Sequence, residues 1–217
     1  AGGHTRHQAA GPRIVDVDAV GALAGDEQEV PEGARRDGAR AVVVVEIDAG
    51  VTRAARAAFG LDESAGIQTI TMDARNYVDQ LLWQEGTGGT QKRYDFIYED
   101  AINDYSVPFQ LVTQEFNEKI ARLLADDGIY LVNLIDTYEN GRFLGAVVNT
   151  LGRTFPHVYV VTSRANLPSL RNTFVVAAGR QPFDPGALLA QCNPHLRFWL
   201  LDESEMRRLR DKCGDVI

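Results

Sequence analysis

From residue 41 onward, continuous apolar runs alternate with amphipathic stretches. Ala41-Val-Val-Val-Val-Glu-Ile47 is β-branched through its centre, which suits a strand covered on both faces. Residues 51–59 are Ala-rich and amphipathic, and Gly60 follows, so a helix ending there is predicted. Ile67–Met72 reads as a second strand, Arg75–Trp83 as a helix and Gly86-Thr-Gly-Gly89 as a flexible loop. Tyr94–Tyr98 is a further strand. Gln110–Leu124 is read as one long helix, with Leu111, Val112, Phe116, Ile120, Leu123 and Leu124 on its apolar face. The turn Asp126-Asp127-Gly128 should open the strand Gly128–Ile135, followed by a helix over Phe143–Leu151. Val158–Val161 and Thr173–Ala177 are two more strands with no helix of any length between them.

Strands that alternate with helices imply right-handed βαβ units. The predicted fold is therefore α/β, with a mostly parallel sheet, helices on both faces and an antiparallel strand at the end. Residues 1–40 differ from the rest. They hold no Lys and no aromatic residue, and every Phe, Tyr and Trp lies at Phe59 or beyond. Only Ile14, Val15 and Val17 read as a strand there, ahead of a stretch containing Gly21 and Gly25. The expected organisation is a divergent or poorly ordered segment over 1–40 and one Rossmann-like domain over 41–217.

Composition narrows the function classes. The 217 residues are 45% hydrophobic and 24% charged, with 22 basic against 30 acidic residues and a net charge of −8. That is an ordinary balance for a globular chain, and it lacks the basic stripe that phosphate backbones require, so no nucleic-acid partner is expected. Cys192 and Cys213 are read as unpaired thiols in a reducing compartment. His4 and His7 have the spacing of a metal pair but no further ligands nearby, so no metal is expected. No stretch has the length of a membrane span and no signal peptide is visible, which together predict a cytoplasmic chain. A nucleophile elbow and a Walker lysine are both absent. His157 and His195 each follow a proline and read as packing or surface residues.

In an open α/β sheet, ligands sit beyond the carboxyl ends of the strands. Acidic residues finish nearly every predicted strand: Asp16 and Asp18, Glu46 and Asp48, Asp73, Glu99 and Asp100, and Asp136. Glu46 lies 21 residues after Gly25. That spacing suits glycines approaching a nucleoside and a carboxylate accepting from its ribose hydroxyls; the alternative is a cap for the next helix. Asp73 could accept from an adenine amine or could cap the helix at Arg75. Asp100, with Asp104 four residues on, could hold and deprotonate an amine, helped by acidic neighbours at Glu99 and Asp104. A solvated acidic loop is the other reading.

Several of these segments resemble the spermidine synthase family. They are Val45-Glu-Ile-Asp48, Met72-Asp-Ala-Arg75, Tyr94-Asp-Phe-Ile-Tyr-Glu-Asp-Ala101, Val107-Pro108, Thr113-Gln-Glu-Phe116 and Leu124-Ala-Asp-Asp-Gly-Ile-Tyr-Leu-Val-Asn133. More narrowly, the chain looks like bacterial spermidine-synthase-like proteins that carry a membrane-embedded N-terminal half. The resemblance runs over residues 41–178. It implies a class I methyltransferase-like Rossmann fold and transfer of an aminopropyl group from decarboxylated S-adenosylmethionine to a polyamine acceptor such as putrescine. It places Glu46 and Ile47 at the ribose, Asp73 and Ala74 at the adenine, and Gly21 and Gly25 at the glycine loop. Asp100 becomes the acid that handles the attacking amine, with Asp104 and Tyr105 beside the substrate. It also admits a homodimer, and a membrane domain in a longer protein of which this chain would be a fragment.

The chain departs from the family pattern in several places. The glycine-rich run is reduced to Asp18-Ala-Val-Gly21-Ala-Leu-Ala-Gly25, which also fits a frame-shifted start. Asp-x-x-Asp-Pro becomes Asp100-Ala-Ile-Asn-Asp104-Tyr105, and Leu167 stands where a tyrosine is usual before Pro168. Two alternatives therefore stand beside aminopropyl transfer: a methyltransferase using S-adenosylmethionine, and a non-catalytic nucleoside-binding relative.

Overall fold

The computed structural model describes residues 14–17 (backbone only), 42–61, 67–89, 92–101, 107–163, 171–189 and 198–213. Eight strands form one sheet: β1 (Ile14–Val17), β2 (Val42–Glu46), β3 (Ile67–Thr71), β4 (Tyr94–Glu99), β5 (Leu124–Thr137), β6 (His157–Thr162), β7 (Arg171–Gly179) and β8 (Trp199–Leu200). Their order across the sheet is β3-β2-β1-β4-β5-β7-β6-β8. The first five strands pair in parallel, while β7 runs antiparallel to both β5 and β6, and β8 antiparallel to β6. The predicted class and its antiparallel end are both observed. The short run at Ile14 is the middle one of the five parallel strands, with β2 on one side and β4 on the other.

Each helix starts where a side chain satisfies its first free N–H groups. Asp48 accepts from Gly50 N at 2.6 Å and starts α1 (Ala49–Ala58); Gly60, at φ 71°, turns the chain away at its end. Asp73 accepts from Asn76 N at 3.0 Å and starts α2 (Ala74–Gly86). Within α2, Ala74, Tyr77, Val78, Leu81 and Leu82 are buried, the spacing of a helix with one apolar stripe.

Two expectations needed correction. The long helix over 110–124 is divided. A 3₁₀ turn covers Phe109–Leu111, and Thr113 then accepts from Phe116 N at 3.2 Å to start α3 (Gln114–Leu123). The fifth strand begins earlier than expected, at Leu124. Tyr94 pairs with Leu124 and Phe96 with Ile129, so residues 125–128 lie opposite Asp95 alone. Asp126-Asp127-Gly128 is thus a bulge within a strand rather than a turn before one. Gly128 is required there, because a Cβ would stand 2.8 Å from Tyr94 O.

Three elements were not anticipated: β8, α5 (Pro185–Leu189) and α6 (Glu203–Lys212). Helix α6 opens with a reciprocal cap between Asp202 and Glu205 and packs Met206 and Leu209 against α4 (Phe143–Thr154). The core lies between the sheet and these helices, with Val45, Phe116, Leu124, Tyr130, Leu134, Leu144, Val160 and Val176 fully enclosed.

Candidate active site

The order of strand addition reverses at β1, so the carboxyl edge beside β1 is where an open sheet leaves a crevice. Val17 is level with Val45 on one side and with Glu99 on the other. Glu46 and Asp100 are therefore the next residues outward on the two strands that flank β1. Two inter-strand spacings put their backbones about 10 Å apart, room for a small ligand over the end of β1.

Glu46 is buried, and its Oε1 accepts from Asp48 N at 2.8 Å. The cap of α1 is Asp48, so Glu46 is not spent on that helix. Its Oε2 accepts nothing among the described residues, which leaves the lone pairs a vicinal diol needs. The next residue, Ile47, is 63% exposed beyond the strand end and offers an apolar face beside that carboxylate. Met72 N donates to Glu46 O at 3.2 Å and so brings the end of β3 alongside. Asp73 follows, half-buried, and Ala74 is buried beneath it. Asp73 does cap α2, through Oδ1. Its other oxygen accepts nothing among the described residues.

Asp100 is half-buried, and its Oδ1 accepts from Asn133 Nδ2 at 2.5 Å. Val132 pairs with Glu99, so Asn133 stands level with Asp100 on the adjacent strand. The sequence reading missed Asn133 as a site residue. The available signal was a polar side chain within the apolar run Ile129–Ile135.

Glu99 behaves differently from the expected acidic neighbour. It is 1% exposed and accepts from Tyr130 Oη within the core. Burial and the Glu99 charge push the Tyr130 phenol well up, so Tyr130 stays neutral and donates. Asp136 is also structural: it accepts from Thr137 N at 2.7 Å and from Leu144 N at 2.8 Å, fixing the start of α4. Gly21, Gly25, Asp104 and Tyr105 lie outside the described residues.

The strand order and the edge chemistry can be compared with known proteins. No protein-family model matches the chain. The polyamine aminopropyltransferase of Vibrio vulnificus is 33% identical over 94 residues, which cover 43% of this chain and 29% of that protein. The matched stretch is thus under a third of the curated relative. A crystal structure of a probable spermidine synthase from Corynebacterium glutamicum superposes with a TM-score of 0.67 at 18% identity, over 92% of this chain and 69% of that one.

The fold is that of the spermidine synthases.

It is equally a class I methyltransferase-like fold. Human methyltransferase-like protein 13, in complex with SAH, superposes with a TM-score of 0.56 at 21% identity, over 94% of this chain and 80% of that one. In spermidine-synthase terms, the expected nucleoside residues Glu46, Ile47, Asp73 and Ala74 gather at the ends of β2 and β3, and Asp100 stands across β1 from them.

Proposed function

We propose that this chain transfers an aminopropyl group from decarboxylated S-adenosylmethionine to a polyamine acceptor, with putrescine the simplest candidate. The observation that carries the reading is the pair Glu46 and Asp100 at the ends of the strands flanking β1, one carboxylate with an oxygen to spare and the other held in place by Asn133. In this reading Glu46 accepts from the ribose hydroxyls, with Ile47 beside the sugar and Asp73 and Ala74 near the adenine. Gly21 and Gly25 complete the nucleoside side of this reading, and Asp104 and Tyr105 the amine side.

The chemistry needs little from the protein beyond placement and one proton acceptor. The amine nitrogen gives its lone pair to the propyl carbon beside the sulfonium. The C–S bond breaks and its electron pair returns to sulfur, leaving the neutral thioether methylthioadenosine. Before attack Asp100 accepts a proton from the acceptor ammonium, through the oxygen not engaged by Asn133, which frees that lone pair; the product amine carries the positive charge that the sulfonium gives up. The same carboxylate attracts the cationic acceptor before reaction. A reactive sulfonium gains from shelter from water, and the apolar side chain of Ile47 supports that at the nucleoside end.

Calorimetry with decarboxylated S-adenosylmethionine, S-adenosylmethionine and methylthioadenosine tests the reading. Tighter binding of the decarboxylated form, lost in Glu46→Ala, supports it. A preference for S-adenosylmethionine supports the methyltransferase reading, which the shared fold with an SAH-bound methyltransferase keeps in view. An Asp100→Asn variant that binds normally and loses turnover separates an enzyme from a nucleoside-binding relative. Among the described residues, no helix is long and apolar enough to cross a membrane.

A further inference from the structure

The amino edge of the sheet carries a second feature with its own chemistry. A cavity of about 560 Å³ is lined by Arg93, Arg122, Ala125, Asp126 and Arg180. Arg93 directly precedes β4 and Asp100 directly follows it, so the cavity lies about 23 Å of strand away from the Glu46–Asp100 edge. We propose that this cavity binds a small oligophosphate anion through the guanidinium groups of Arg122 and Arg180, with the Glu85-held Arg93 at its wall.

The bulge in β5 creates the space: residues 125–128 leave the ladder opposite Asp95, and two of them line the cavity. Two of the arginines are already fixed. Arg93 reaches Glu85 through both terminal nitrogens, at 3.0 and 3.4 Å, and donates to Lys92 O at 2.8 Å. Arg180 donates through Nη2 to Leu124 O at 2.9 Å and Ala125 O at 3.1 Å, with Asp126 Oδ1 at 3.4 Å. Its Nε and Nη1 have no described partner. Arg122 is exposed and has none among the described residues. Its place in the last turn of α3 complements the helix dipole, which accounts for one arginine of the three.

Guanidinium N–H groups match phosphate oxygens, and fixed ones lose little freedom on binding. The Arg93 fork is engaged by Glu85, which offsets its charge, so Arg122 and the Nε and Nη1 of Arg180 are the donors left to an anion. Asp126 does not close the site, because it is fully exposed and such ion pairs contribute little. Among the described residues the lining holds no aromatic side chain and Ala125 is its one apolar member, so none of them would bury a base or ring. Charge must do the recognition. The volume lies within the range of small-molecule sites and admits two or three linked phosphoryl groups. The chain's net charge of −8 makes this patch a local reversal rather than part of a general polyanion surface.

The test is calorimetric titration of the whole chain with inorganic tripolyphosphate, ATP and citrate at matched ionic strength. Saturable binding of tripolyphosphate is expected, weakened at least tenfold in Arg122→Glu and less in Arg122→Ala. Citrate should bind at least tenfold more weakly, and ATP no more tightly than tripolyphosphate. Absence of binding, or equal binding by Arg122→Glu, overturns the proposal. So does citrate binding as tightly as tripolyphosphate, or ATP binding more than tenfold tighter. Circular dichroism establishes that Arg122→Glu is folded; should it not be, Arg122→Ala decides, and unchanged affinity there is equally fatal.

Discussion

Asn133 on β5 donates its side-chain amide to Asp100 Oδ1 at 2.5 Å, from a position level with it on the adjacent strand. One carboxylate oxygen is thereby fixed and the other is directed by the same bond. Asp100→Asn should lower turnover by about 10²–10⁴, the usual contribution of a positioned proton acceptor. Asn133→Leu should lower kcat by about 10–100-fold, the loss of one bond to a charged group. It should leave nucleoside binding intact. Steady-state kinetics with saturating sulfonium substrate separates the two variants, and equal losses in both would mean that Asn133 does more than orient.

Glu46 offers a contrasting case, because the role proposed for it concerns binding rather than transfer. Glu46→Ala should weaken methylthioadenosine binding by about 10–100-fold through loss of charge-assisted bonds to the ribose. The Asp48 N–H also loses its acceptor, so a small drop in melting temperature should accompany it. Calorimetry at fixed temperature reads the first effect and differential scanning the second. A variant that melts lower yet binds as before would assign Glu46 to the loop alone.

The buried pair of Tyr130 and Glu99 sets an alkaline limit. The Tyr130 phenol is held up in the folded chain by burial and by the Glu99 charge, whereas the unfolded chain ionises near the ordinary tyrosine value of about 10. Below that value both states keep the proton and the pair contributes fully. As pH rises past about 10 the unfolded state alone gives up its proton, and stability falls. Burial raises Tyr77 as well, which adds to the same slope. Tyr130→Phe removes the donor to a carboxylate that remains buried, at a cost of about 1–3 kcal/mol near neutral pH. It should also flatten the alkaline loss. Urea titrations at pH 7.5 and at pH 10.5 would show both, and an unchanged midpoint at neutral pH would contradict the account.

Helix α6 depends on one glycine. A Cβ at Gly145 of α4 would stand 2.5 Å from Leu209 O and 3.3 Å from Cys213 Cβ, so the two helices meet backbone to backbone. Gly145→Ala should cost about 1–3 kcal/mol by overpacking and loosen α6. Amide exchange should rise over residues 203–212 while β2 to β5 stay protected. Equal protection of α6 in both proteins would show that the contact relaxes without strain.

The parallel sheet and the acidic edge were legible from local patterns, because buried strands write themselves as β-branched runs and their ends as polar punctuation. What escaped was non-local or masked by polarity. The periodic apolar residues across 110–124 concealed the break at Thr113, since Val112 and Phe116 keep the helical spacing while the Thr113 hydroxyl starts a new helix. Asn133 gained its meaning only from strand register, which no single segment encodes. Helix α6 was hidden by its charge density, although Asp202 and Glu205 spell a reciprocal cap that could have revealed it. Asp126-Asp127-Gly128 has turn chemistry, yet pairing on either side draws it into a strand.

The position of β1 also has a consequence for the order in which the molecule can be assembled. Residues 14–17 leave the ribosome before either of their partners, and one of the two is Phe96–Glu99. At about 5–20 residues per second, that partner is several seconds behind. Throughout the delay the strand that will sit amid the parallel strands presents at least one unzipped flank, with its N–H and C=O groups open to any extended segment that passes. The nascent chain is thus open to mispairing at a strand that is later zipped on both flanks.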